Sequence, residues 1–487
     1  AMGLYRHIRI AAAMLLSLSC AGGAAWQSAV AAPPAVRESR YRMAPFGTVH
    51  VYSPAHGPRG VVLFLSGDGG WDRPATVLAH ALADQGLLVA GVSTPSLMQT
   101  LEQNKAKCID PNYPLVDLAR DVQHRMAVRA YMKPIVVGYS AGATVAYASL
   151  AQWPNGGYRG VLSIGFSADL PGHKHWCAAP GFVAHPITRP TKGWMFAPSK
   201  RIKVPWTVLQ GQADAVVSPS AARRFVSAIP HARYVELPKV GHGFAVTAHW
   251  LPQLRSEIDR MLPAPIAAGP LALPDMPLTI VPSTVPARPG GNADTMAVIY
   301  SGDGGWVGID RDVAQHLASA GIPVVGVDSL SYFWSQRTPS GAAADLDRVI
   351  ASFTQRWHRP KVLLIGYSFG ADTLPHIVGA LNPQTRSRIA SISLLGLSPT
   401  ADFQFHLTSW LNVSSAQALP TVPAVAALHG MTIRCIRGVA ESDSACPAIP
   451  RGVAQNYVVP GGHHFDRNSA LLASIILGQR PAGIVQS

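Results

Sequence analysis

Two serines of this chain lie in one recurring pattern, Gly138-Tyr139-Ser140-Ala141-Gly142 and Gly366-Tyr367-Ser368-Phe369-Gly370. Each follows an apolar run ("KPIVV", "KVLLI") and precedes a helix-forming stretch, the context in which GxSxG predicts a sharp strand-to-helix turn carrying an exposed serine hydroxyl. A serine at its free pKa is a weak nucleophile. It needs a histidine base held by a carboxylate, expected in the chain order serine, acid, histidine. Both halves supply the set. After Ser140, "WTVLQG" leads to Asp214 and "VGHGF" presents His242; after Ser368, "MTIRCIRG" leads to Glu441 and Asp443, and "GGHHF" presents His463 and His464. Matching G-H-x-F between the halves selects His463 and makes His464 a neighbour. Counting from the preceding glycine sets Glu441 opposite Asp214, while Asp443 keeps the commoner carboxylate, so both stand as candidates for the acid. The chemistry is acyl transfer through a serine ester, which requires neither a metal nor an organic cofactor.

A second hexapeptide, Ser-Gly-Asp-Gly-Gly-Trp, occurs at Ser66–Trp71 and again at Ser301–Trp306, each time just after an early apolar run. That place predicts a second oxyanion donor, with the N–H groups of Asp303 and Gly304 joining that of Phe369 around a developing negative oxygen. The alternative of a phosphate-binding loop lacks the GxxxxGK[ST] pattern and its lysine.

The two motifs recur because the domain recurs. Each half reads strand, SGDGGW, helix, strand, helix, strand, GYSxGA, helix, the alternation of a parallel sheet with right-handed crossovers. The fold class expected is α/β: two tandem α/β-hydrolase-like domains, each a mostly parallel sheet flanked by helices. A proline-dense segment, 263–290, predicts an extended linker that divides a first domain (37–262) from a second (291–487).

Arg6 and Arg9 precede an apolar run from Ile10 to Leu18, and small residues lead to Ala29-Val30-Ala31, the form of a cleaved secretory signal over 1–32. Cys20 as a lipid-bearing cysteine is the weaker alternative, since Ser17 stands where such sites favour leucine. Four cysteines follow, and an even number in an exported chain predicts two disulfides, Cys108 with Cys177 and Cys435 with Cys446. No CxxC suggests zinc. The formal charge is +14, but the 40 Lys and Arg are scattered without a basic block, so an anionic membrane surface explains the excess at least as well as nucleic acid does.

The second half resembles the VirJ/AcvB family through "YSGDGGW", "GVDSLSYFWSQRTP", "LLIGYSFGAD", "ESDSAC" and "GGHHF", and the tandem arrangement is similar to its longer, AcvB-type members. The resemblance implies a periplasmic serine esterase that removes the aminoacyl group from aminoacyl-phosphatidylglycerol, lysyl or alanyl, at a membrane surface. It places the active site in the second domain, at Ser368, His463 and Asp443 or Glu441. An aminoacyl ester carries an ammonium, so Asp372 and the aromatic run Tyr332-Phe333-Trp334, which have no counterpart in the first half, are expected to bind that cation. The alternatives are a general carboxylesterase or lipase and a binding module that assists secretion on a hydrolase fold. For Ser140, Asp214 and His242 the sequence leaves open a second esterase, a substrate-presenting scaffold and a structural relic.

Overall fold

The computed structural model describes residues 36–487 apart from 155–156, 190, 263–272, 274–275, 284, 287–291, 406–416 and 487. The expected signal segment, and with it Cys20, lies outside the described residues. Val36–Ser487 forms one compact unit that contains two sheets of eight strands.

In the first sheet the strands lie in the order Arg37–Met43, Gly47–Ser53, Leu87–Val92, Gly60–Leu65, Ile135–Tyr139, Gly160–Ile164, Trp206–Gly211, Arg233–Leu237. The second repeats the plan: Leu278–Val281, Val324–Val327, Thr295–Tyr300, Lys361–Tyr367, Ile389–Leu395, Ile433–Gly438, Gln455–Val459, Val485–Gln486. Pairing is parallel through the centre of both sheets; it is antiparallel at both edges of the second sheet and at the Arg37–Met43 edge of the first, whose other edge strand, Arg233–Leu237, pairs in parallel. The central strands, such as Gly60–Leu65 and Thr295–Tyr300, are buried throughout, as expected when helices cover both faces. Each sheet therefore has two apolar cores, one per face.

One expectation shifts. The proline-dense segment is not linker throughout: Leu278–Val281 pairs antiparallel with Val324–Val327 as the edge strand of the second sheet. Pro277 and Pro282 flank it, and an edge strand tolerates proline because one of its sides has no ladder to donate to.

The repeated tryptophan has a packing reason. A Cβ on Gly326 would lie 2.3 Å from the Trp306 ring, and one on Gly91 would lie 1.9 Å from that of Trp71. Each SGDGGW tryptophan thus lies directly on the neighbouring strand, over the glycine of "GVD" or "GVS", and fixes the loop above the sheet edge.

Both disulfides form as expected, Cys108–Cys177 and Cys435–Cys446. They fit an extracellular or periplasmic environment. Among the described residues no helix is long and apolar enough to cross a membrane.

Candidate active site

The sharp turns predicted at GxSxG are present. Ser140 has φ 52° and ψ −119°, Ser368 φ 52° and ψ −120°, in a region that L-residues rarely occupy. The flanking glycines make these turns sterically possible. A Cβ on Gly366 would lie 2.5 Å from the Gly370 carbonyl oxygen, and one on Gly370 would lie 2.2 Å from the Tyr300 carbonyl oxygen. Each serine opens a helix, Ala141–Gln152 or Phe369–Gly379, and remains partly accessible.

The second half brings Ser368, His463 and Glu441 together. Ser368 Oγ lies 2.8 Å from His463 Nε2, and His463 Nδ1 lies 2.5 Å from Glu441 Oε1. Glu441 is the acid at the histidine; Asp443, two residues on, is exposed. The other carboxylate oxygen of Glu441 accepts the Gly438 N–H at 3.1 Å. Burial disfavours a charged His463, but the hydrogen bond and charge of Glu441 outweigh it and hold the imidazole above its usual 6.5. The Cys435–Cys446 bridge ties the strand Ile433–Gly438 to the far side of the acidic loop, and Ala445 N–H donates to Leu397 O at 2.8 Å. His464 is a neighbour: its Nδ1 lies 2.8 Å from the Tyr367 hydroxyl.

The first half holds the same constellation. Ser140 Oγ is 2.9 Å from His242 Nε2, and His242 Nδ1 is 2.8 Å from Asp214 Oδ2. Asp214 also accepts from Gln210 Nε2 at 2.9 Å and from the N–H groups of Val216 and Val217 at 2.9 and 3.0 Å. The tyrosine of GYSxG, unassigned from sequence, has a role in both halves: Tyr139 donates its hydroxyl to the His242 carbonyl at 2.8 Å, and Tyr367 donates to that of His463 at 3.3 Å. It fixes the loop that presents the base.

Of the expected oxyanion donors, Phe369 follows Ser368 as the first residue of its helix, where the N–H has no intrahelical acceptor. Gly302 sets the SGDGGW loop beside the elbow, since a Cβ there would lie 3.5 Å from Ser368 Cβ. Asp303 and Gly304 are half-buried because the first domain covers them. Arg120, on the helix Asn112–Arg125, donates from Nη2 to the Asp303 carbonyl at 2.5 Å, and its Nη1 lies 3.5 Å from Asp117. Burial lifts the Asp117 carboxyl to about 6, with Arg120 pulling the other way and Asp303 adding to the rise. Neither Asp117 nor Arg120 was legible as a site residue. The spacing 117, 120, 124 marks one helix face, but nothing in it says that the face meets another domain.

The expected cation site is corrected. Tyr332, Phe333 and Trp334 are 1%, 0% and 5% exposed, so they present no face to a ligand. Trp334 enters the first domain: its Nε1 donates to Val128 O at 2.8 Å, its ring stacks on His124 at 4.0 Å, and with Tyr131, Leu330 and Phe405 it forms a small core shared by the two halves. Phe333 packs on Phe369 at 5.2 Å, and the Tyr332 hydroxyl donates to Asp345 at 2.5 Å. Asp372 is also buried. Its Oδ1 accepts the Ser398 N–H at 2.7 Å, and burial lifts its carboxyl to about 8, against the pull of that hydrogen bond.

Strand order, strained serine turns and paired histidine–carboxylate geometry define a tandem α/β-hydrolase-like protein. Within that class the chain belongs to the family described as bacterial virulence protein (VirJ), whose model matches residues 60–165 and 294–482. Among solved structures, a lidless α/β serine hydrolase from Xanthomonas campestris is 21% identical and covers 48% of this chain and 98% of its own, with a TM-score of 0.30. A fluorophosphonate-binding serine hydrolase of Staphylococcus aureus is 13% identical, covers 48% and 100%, and has a TM-score of 0.33. An esterase domain from a Rhodothermus marinus protein is 13% identical, covers 46% and 98%, and has a TM-score of 0.31. No curated protein matches the chain.

Proposed function

We propose that this protein is an exported serine esterase whose second domain removes the aminoacyl group from aminoacyl-phosphatidylglycerol. The observation that carries the reading is the continuous line from Ser368 Oγ through His463 to Glu441, at 2.8 and 2.5 Å. His463 Nε2 takes the proton of Ser368 as its oxygen attacks the aminoacyl carbonyl. The N–H of Phe369, with those of Asp303 and Gly304, receives the developing O⁻. Glu441 holds the imidazole in the tautomer that leaves Nε2 free to accept and stabilises the imidazolium that forms. The glycerol oxygen leaves with the proton from His463, water is then activated by the same imidazole, and the amino acid and phosphatidylglycerol are released.

The substrate class is supported by the family resemblance and by acidic surroundings that suit an ammonium: Asp303, Glu441 and Asp443 on the second domain and Asp117 on the first. The excess of basic residues suits an anionic bilayer. The test is to incubate the purified protein with vesicles of phosphatidylglycerol doped with lysyl- or alanyl-phosphatidylglycerol. Release of lysine or alanine with intact phosphatidylglycerol supports the reading. Release of fatty acids would make the protein a lipase.

A further inference from the structure

We infer that the first domain is a second esterase, with Ser140 as its nucleophile, and that it takes uncharged esters while the Ser368 site takes cationic ones. The activity of Ser140 goes beyond the function proposed for Ser368, and the contrast with cationic esters rests on that function.

The first-domain constellation is complete in every part that chemistry requires. Serine, histidine and carboxylate are in line at 2.9 and 2.8 Å, and the serine has the same strained backbone as Ser368. A strained φ/ψ persists only where the surrounding structure enforces it. Here it is enforced by close backbone contact, because a Cβ on Gly138 would lie 2.1 Å from the Gly142 carbonyl oxygen. Asp214 accepts four hydrogen bonds, including one from His242, so the acid is held in place at least as firmly as Glu441. The N–H groups of Ala141, Asp68 and Gly69 occupy the positions of Phe369, Asp303 and Gly304. Asp68 and Gly69 are exposed, so this loop is open where its counterpart is covered by Arg120.

Charge separates the two sites. Ala75, Ser93 and Thr144 stand where the second half has the buried Asp310, Asp328 and Asp372, and Val216 stands where it has the exposed Asp443, while Asp68 and Asp214 match Asp303 and Glu441. Thr144 donates to the Ser167 carbonyl at 2.7 Å, and Val216, beside Asp214, is 71% exposed. The first site therefore has one exposed carboxylate fewer than the Ser368 site and presents an apolar side chain at its rim in that place. At position 141 a half-buried alanine stands where the second half has the buried Phe369.

The reaction is ester hydrolysis. Ser140 Oγ bonds to the carbonyl carbon as its proton passes to His242 Nε2. The ester C–O bond breaks and the alcohol leaves with that proton. Water, deprotonated by His242, then cleaves the acyl-serine to the acid and restores Ser140.

The test uses the full exported chain, labelled with a fluorophosphonate probe and peptide-mapped, alongside hydrolysis of p-nitrophenyl butyrate and of lysine ethyl ester. Ser368→Ala should keep the label on Ser140 and at least half of the butyrate activity, and it should lose lysine ethyl ester hydrolysis at least tenfold. Ser140→Ala should show the opposite pattern. His242→Gln should lose the Ser140 label while Ser368 still labels, which shows that the chain is folded. Absence of label on Ser140 in Ser368→Ala, or butyrate hydrolysis there at the level of the double variant, would overturn the second site. Equal use of the two esters by Ser368→Ala would overturn its preference for uncharged substrates. Activity of Ser140→Ala on aminoacylated lipid reads the Ser368 proposal separately.

Discussion

Arg120 of the first domain donates to the carbonyl oxygen of Asp303 in the second at 2.5 Å. In a trans peptide the C=O and the following N–H point in opposite directions, so this bond sets the direction of the Gly304 N–H. A charged donor on the carbonyl also polarises the peptide and strengthens that N–H as a donor. Arg120 is therefore a positioning residue for the Ser368 site. Arg120→Ala should lower kcat at that site about tenfold with little change in KM, less than the 10² or more lost with a direct oxyanion donor. Hydrolysis at Ser140 should be unchanged, whereas a general loss of fold would lower both.

Glu441, not Asp443, touches His463. Glu441→Gln should cost on the order of 10⁴ in kcat, as expected when a triad histidine loses its orienting carboxylate. Asp443→Asn should keep Ser368 chemistry on a small neutral ester within about threefold. Comparing the two variants on p-nitrophenyl acetate, in a Ser140→Ala background, assigns the acid.

Trp334 joins the two domains and does not face a ligand, so Trp334→Ala should destabilise the protein by about 3 to 5 kcal/mol, the usual cost of truncating a buried tryptophan. It should not discriminate between substrates. Chemical denaturation together with kinetics on charged and neutral esters checks both statements.

Burial raises the carboxyl of Asp372 to about 8, whereas in the unfolded chain it is near 4. Between those values the folded state holds a proton that the unfolded state has released. The contribution of this group to stability is thus full below about pH 4 and is lost as pH rises through about 8. Asp372→Asn carries no such proton. Its melting temperature relative to the parent should rise steadily from pH 5 to pH 8.5, and a constant difference across that range would contradict the assignment.

Both nucleophile elbows, the histidines and the tandem sheets were legible because each rests on local chemistry: glycines where no Cβ fits, apolar strands, and a fixed chain order of triad partners. The choice between Glu441 and Asp443 was not legible, because it depends on how a loop turns after Gly438 and where the Cys435–Cys446 bridge holds it. Nor was the fate of Tyr332-Phe333-Trp334. Aromatic residues after a strand end read alike whether they face solvent, core or a second domain. Arg120 was hidden for a related reason: its partner lies in the other domain, and no spacing within one helix announces a contact across the chain.

Whether Ser368 carries the deacylation is decided by the rate of lysine release from lysyl-phosphatidylglycerol vesicles by Ser368→Ala and Ser140→Ala proteins. Ser368→Ala should lose a factor on the order of 10⁴ or more, and Ser140→Ala should retain most of the rate. Undiminished release by Ser368→Ala, or its loss in Ser140→Ala alone, would contradict that role for Ser368.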